Sequence, residues 1–350
     1  MVTLAPLACT GIGSVPFTEP SATAALILEQ LPELPFWPQM VRLGYREDML
    51  PQGAGGLPYL RIETENRTVG INPHVPRELA LAHFYETVWA EDLSPFALQP
   101  EEAQGFFALL QAVLQRPEGP RAMKGQVVGP VTFTGMVKDA QEKPILYDRE
   151  LVLAVSQGLA RKAAWQAQEF RRLGKQAVIF FDEPYLTGYG SAFLPVSREE
   201  VTTILADTLE ATRQAGPVIL GVHCCGNTDW SLLLEAPIDI LSFDAYGYFD
   251  SLSLYGESLN KFLARGGWLA WGLVPTGEEL HQEAVDSLWQ RFQRQVWELE
   301  TRGLKVPEVL SQSLLTPACG LGYLTPEAAT RALMLLGELS ARARQWLKET

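Results

Sequence analysis

The chain has 350 residues, 47% of them hydrophobic, enough to bury a large core as one big α/β domain or two ordinary ones. Its 41 acidic and 28 basic residues leave a net charge of −13. No basic stripe or Lys/Arg block offsets that charge, which argues against nucleic acid or an anionic membrane surface as a partner.

The four cysteines do not form a disulfide framework, so reduced thiols in a cytoplasmic protein are expected. The apolar start, MVTLAPLACTGIGS, lacks a basic n-region and is interrupted by Pro6, so it does not read as an export signal. No stretch approaches the roughly 20 apolar residues of a membrane span.

In chain order, LACTGIG near the start reads as a strand. A second strand is expected within residues 38–72, where PYLRIET and RTVGINP also suggest a hairpin. AMKGQVVGPVTF reads as a strand with its loop, and apolar residues at helical spacing follow over roughly 148–173. QAVIFFDEP is the next strand. SREEVTTILADTLEATRQAG then combines a Ser cap, an acidic first turn and a closing Gly. GPVILGVHC, IDILSFD and GWLAWGLVP supply three more strands, a helix covers about 278–302, and a last strand falls around VLSQSLL. The final helix opens with Thr325 and Pro326 at cap and first-turn positions.

Repeating βα units with apolar strands predict a parallel sheet covered by helices, and eight of them would close a TIM barrel. The expectation is one TIM-barrel domain over residues 1–350, with an irregular or hairpin insertion around 15–75. An open doubly wound sheet is the alternative, but QGAGG at 52–56 lacks the strand–helix context of a dinucleotide turn.

In a TIM barrel the C-terminal strand ends gather on one face, where active sites form. Ser14 follows the first strand, Asp182 and Glu183 end QAVIFFDEP, His223 and Cys225 end GPVILGVHC, Asp244 ends IDILSFD, and Cys319 follows the last strand. Thiolate, imidazole and an occasional carboxylate are the ligands zinc prefers, so His223, Cys225 and Cys319 are a candidate metal set. The two-residue spacing of His223 and Cys225 lets both face one side of an extended chain. Cys224 then points away as a core or supporting residue. A His-Cys-Cys run that merely packs a strand end is the competing reading, and Cys9 is assigned to packing outright. His74, His83 and His281 fall in loop or helical segments and read as surface or capping residues. Asp182 and Glu183 could cap the next turn, although an acidic pair after IFF is a costly placement without a role.

The motifs GIGS at 11–14, GPVTF at 129–133, FDEP at 181–184, HCC at 223–225 and PACGLGY at 317–323 occur in one order across almost the whole chain. In that set the chain resembles the C-terminal catalytic barrel of cobalamin-independent methionine synthase, within the superfamily that includes uroporphyrinogen decarboxylase and corrinoid-dependent thiol methyltransferases. The resemblance implies zinc on His223, Cys225 and Cys319, with Asp244 at the position of a further acidic ligand that is usually Glu. It also implies that Ile12 and Ser14 hold the carboxylate of an amino-acid thiol such as homocysteine, and Asp182 its amino group. The family's other amine-binding Glu has only a loose counterpart, Glu47. Uroporphyrinogen decarboxylase lacks the metal triad, so the three ligands favour the methyltransferase branch.

Two departures bear on the methyl donor. The family enzyme is about twice as long, and its extra N-terminal barrel helps bind methylfolate. Its Asp-x-His near the seventh strand is replaced here by Pro275 and Thr276. A methylcorrinoid, free or on a corrinoid protein, is therefore the expected donor. Methyl transfer to another thiol such as coenzyme M, and a non-catalytic zinc- or corrinoid-binding accessory protein, are the alternatives.

Overall fold

A computed structural model describes residues 4–116, 118–191 and 194–349. Its centre is a curled parallel sheet in sequence order: β3 (Ala122–Val128), β4 (Gln176–Asp182), β5 (Ile219–Cys224), β6 (Ile240–Phe243), β7 (Trp268–Val274) and β8 (Ser313–Pro317). The expected hairpin is a separate antiparallel pair, β1 (Leu60–Glu63) with β2 (Thr68–Ile71). Among the described residues no helix is long and apolar enough to cross a membrane.

The helices form where the sequence punctuates them. Asp148 accepts from Leu151 N at 3.2 Å and opens Arg149–Arg172. Ser197 and Glu200 form a reciprocal capping box at the start of Arg198–Gln214. Two expectations shift. The segment VPEVLS is the helix Val306–Ser311, so the last strand starts later, at Ser313. The stretch expected as one helix over 278–302 is a 3₁₀ turn, Glu278–Gln282, followed by the helix Val285–Thr301.

The eight-stranded ring expected from the βα count is not formed by eight regular strands. Six are regular, and the first two expected strands are reduced to isolated bridges, Cys9 with Leu315, Ser14 with Gln39 and Phe36 with Lys124. Backbone bonds support these bridges, including Thr10 N to Leu315 O at 3.0 Å, Gln39 N to Gly13 O at 2.9 Å and Trp37 N to Lys124 O at 3.1 Å. Pro16, Pro35 and Pro38 remove donors from these segments, so no continuous ladder can run through them.

Alternation along the strands sorts the side chains. Ala122, Val178, Phe180, Ile219, Ile240, Trp268, Ala270 and Leu314 form one small cluster inside the curl, while Met123, Ile179, Phe181, Leu220, Val222, Leu241 and Leu269 join the larger core under the helices. The same two-residue period puts Lys124, Gln126, Asp182, His223, Ser242 and Asp244 on the inner face toward the C-terminal strand ends.

Candidate metal centre

His223, Cys225 and Cys319 converge, with one ligand atom from each lying within 4.8 Å of the others. A tetrahedral zinc with these donors requires ligand separations of about 3.5–3.8 Å, so a small inward adjustment would suffice. Each residue arrives for a local reason. His223 is the penultimate residue of β5 on the inner face, and Cys225 is the first residue past that strand. Cys319 follows β8, whose end is tied to its neighbour by Ala318 N to Val274 O at 2.8 Å.

The imidazole is oriented by the next strand. Nδ1 of His223 lies 2.9 Å from Ser242 Oγ, and Nε2 is buried without a partner. A ligand imidazole is characteristically held through its other nitrogen in this way. The orphaned Nε2 beside two sulfurs is the observation that fits a thiophilic cation, because a buried polar nitrogen without a partner is otherwise costly.

The two cysteines behave as a pair. Cys225 lies above the ordinary thiol range because of its hydrogen bond with Cys319 and its burial, whereas that same bond, with help from His223, holds Cys319 low. A hydrogen-bonded pair of thiols beside an imidazole favours thiolate character at Cys319, the form that binds a cation. Cys224, of opposite parity, is buried with its thiol on Gly226 O at 3.5 Å, and burial pushes it up to about 12. Cys9 lies in the core at the Leu315 bridge, likewise raised to about 12 by burial.

The carboxylates separate into different roles. Asp244 lies just past β6 on the inner face, where Oδ1 accepts from Gly247 N at 2.7 Å. Burial raises it to about 6, against the Gly247 bond and the nearby His223. Asp182 stands opposite His223 in the strand register, with Oδ1 buried and unpartnered. Burial pushes it upward, opposed by the charges of Lys124 and His223. Glu183 instead accepts from Val131 N at 2.9 Å, Thr132 N at 2.7 Å and Thr132 Oγ1 at 2.7 Å, at the start of the Pro130–Met136 turn. Here GPVTF and FDEP meet as structure: a Cβ at Gly129 would lie 2.1 Å from Glu183 Cδ.

Ser14 links the first turn to the last. Its carbonyl accepts from Leu321 N at 2.8 Å and its hydroxyl from Gly322 N at 3.4 Å. Ile12 offers its carbonyl to the ammonium of Lys124. Glu47 is buried, but its carboxylate accepts from Gln104 N at 2.9 Å and Met40 N at 3.4 Å. From the same segment Met49 and Gln52 line a narrow cavity together with Asp182. His74, His83 and His281 are all exposed.

Two lysines, Lys124 and Lys162, are buried, a placement that the sequence reading did not anticipate. Lys124 lies inside the curl, bonded to Ile12 O and to Gln126 Oε1 at 3.2 Å, and 4.8 Å from the centre of the Phe180 ring. Lys162 is buried on the inner side of Arg149–Arg172. Its position three residues after Leu159 and four before Gln166 puts it on the stripe that this helix buries.

No family model and no curated protein matches this sequence. Among solved structures, the fold is similar to a B12-independent methionine synthase from Shewanella sp. W3-18-1, determined in complex with selenomethionine. The TM-score is 0.55 at 14% identity, over 99% of this chain and 100% of that one. A catalytic module of the pneumococcal exo-β-D-N-acetylglucosaminidase StrH covers 96% of this chain and 85% of its own, at TM-score 0.46 and 11% identity. At these identities the likeness is one of fold: an α/β chain with a curled parallel sheet related in architecture to a methionine synthase.

Proposed function

We propose that the chain is a zinc-dependent methyltransferase that methylates a thiol, with homocysteine as acceptor and methionine as product. The carrying observation is the buried, partnerless Nε2 of His223 beside Cys225 and Cys319. On this reading the curled sheet with its bridged segments is an eight-unit barrel in which the first two strands are irregular, and the metal stands at its mouth. The resemblance of the ordered motifs and the fold-level likeness to a methionine synthase support the assignment.

His223, Cys225 and Cys319 would hold the zinc; Asp244 lies outside that converging set but feels the charges of His223 and Cys319, and would approach the metal as a further ligand or through water. When bound, zinc keeps an acceptor thiol as thiolate at neutral pH, where a free thiol with a pKa near ~8.5 is mostly protonated. Ser242 fixes the imidazole so that Nε2 faces the site. Ser14 and the Ile12 turn, anchored by Lys124, position the acceptor's polar end, and Asp182 offers its free oxygen to the amino group.

The donor is a methylcorrinoid, supplied free or by a corrinoid protein. A folate amine leaves poorly without a general acid, and β7 is followed by buried Pro275 and half-buried Thr276. Zinc-loaded protein with homocysteine and methylcobalamin should form methionine. Turnover with methyltetrahydrofolate but not with a methylcorrinoid would overturn the donor assignment, and absence of zinc after reconstitution would overturn the whole reading.

A further inference from the structure

At the N-terminal ends of the strands, opposite the metal centre, lies a cavity of ≈ 990 Å³. The seven residues of β3, about 20 Å of extended chain, separate the two ends. The floor is formed by Leu4, Ala8, Leu34 and Ala122, all members of the cluster inside the curl. Two of these are alanines, and Ala5 and Gly119 stand on the wall, so short side chains leave the space open. A volume of this size lies at the upper end of the range of about 300–1,000 Å³ that organic ligands occupy.

The rim is basic in a chain that is otherwise acidic. Arg116, Arg121 and Arg344 line the cavity against Glu33 and Glu118, whereas the whole sequence has 41 acidic residues to 28 basic ones. Arg344, on the last helix Pro326–Glu349, donates through Nη1 to Glu33, but its Nε and Nη2 are buried without an acceptor. Arg116 and Arg121 are exposed and make no ion pair among the described residues. Glu33 is thus taken by Arg344, and Glu118 alone stands against two free guanidinium groups. In barrel folds the N-terminal face serves stability, and neither an open cavity nor an unmet guanidinium donor contributes to it. Guanidinium forks above an apolar floor instead match a ligand with a carboxylate or phosphate at one end.

We infer that this cavity is a binding site for an amphipathic organic anion, its apolar body resting on the floor of Leu4, Ala8, Leu34 and Ala122 and its charged head on the arginines of the rim. Arg116 and Arg121 meet the head group at the entrance, and Arg344, steadied by Glu33, faces it from the helix side. The site is remote from His223, Cys225 and Cys319 and stands independently of the thiol-methylation reading.

The test uses the full-length protein and two fluorescent probes of similar shape, the anion 1-anilinonaphthalene-8-sulfonate and the uncharged N-phenyl-1-naphthylamine. The parent should bind about one equivalent of the anion, roughly 10-fold or more tightly than the neutral probe. Arg116→Gln combined with Arg121→Gln should weaken the anion about 10–100-fold, the range of a charge-assisted hydrogen bond, and leave the neutral probe within about twofold. Ala5→Trp, which places a ring in the space, should abolish binding of both. Dodecanoate and dodecyl phosphate should displace the anion, and the more effective of the two identifies the head group. Equal affinity for the two probes, an anion affinity indifferent to the arginine pair, or displacement by neither amphiphile would overturn the inference. So would a parent that shows no saturable binding of the anion while folded. Zinc content and melting temperature of the arginine variant should match the parent's, so failure here leaves the metal centre untouched, and failure of methyl transfer leaves this site untouched.

Discussion

The six-stranded ladder and the N-terminal segments that bridge its edges do different work at the same mouth. The ladder carries His223 and Ser242 on adjacent strands and sets Cys225 and Cys319 just past strand ends, where parallel hydrogen bonding fixes position along the strand. The bridged segments carry Ile12 and Ser14 and border the narrow gap lined by Gln39, Gln52 and Asp182. Regular pairing fixes where each strand-end residue lies along its strand, whereas irregular pairing leaves a narrow gap between the N-terminal segments and β3. Metal retention and acceptor recognition should therefore respond to different mutations.

The largest effect should come from the ladder side. Cys319→Ser or Cys225→Ser should abolish zinc retention, taking metal content from about one per chain to near zero and methyl transfer with it. Elemental analysis of the purified variants decides this. Next, Ser242→Ala removes the partner of His223 Nδ1 and should lower zinc affinity about 10–100-fold in a chelator competition, with the acceptor's affinity for fully loaded protein little changed.

The bridged side should break in the opposite sense. A Cβ on Gly11 would meet the Phe36 ring at 2.2 Å, wedging the first segment from the second. Gly11→Ala should cost about 1–3 kcal/mol in denaturant unfolding and raise KM for the acceptor, while zinc content stays at the parent's level. Loss of zinc in this variant would erase the distinction between the two regions.

The smallest effect is a pH slope. Burial lifts Glu183 to about 7 in the folded chain from an ordinary value near 4.5, so the folded state binds its proton more tightly than the unfolded state does. The contribution to stability is therefore full below about 4.5 and declines as pH rises through about 7, by at most a few kcal/mol. Melting temperature of the metal-free protein should fall across that window, and Glu183→Gln should flatten the slope. A metal-free protein that gains stability over the same range would contradict it.

How far the chain could be read in advance varied with the kind of signal. Runs such as QAVIFFD and ILGVHC are apolar and bounded by turns, so β4 and β5 were legible, as were the Ser197 and Thr325 caps. The last strand was misplaced because VPEVLS and SLLTP are both apolar runs, and short apolar runs do not distinguish helix from strand. Glu183 gave no hint that its partners lay fifty residues earlier, on the turn after β3.

The amino-acid sequence alone determined the alternation of strand and helix, the position of polar residues at strand ends, and the pairing of His223 with Cys225 across two residues. These are local properties, set by periodicity and by which backbones can pair. Only the tertiary structure decided that Cys319 reaches His223, that Ser242 orients it, and that the first two expected strands shrink to bridges. It also decided which lysines are buried. A lysine in a strand or helix pattern reads as solvent-facing until the curl of the sheet and the packing of Arg149–Arg172 against it close over Lys124 and Lys162.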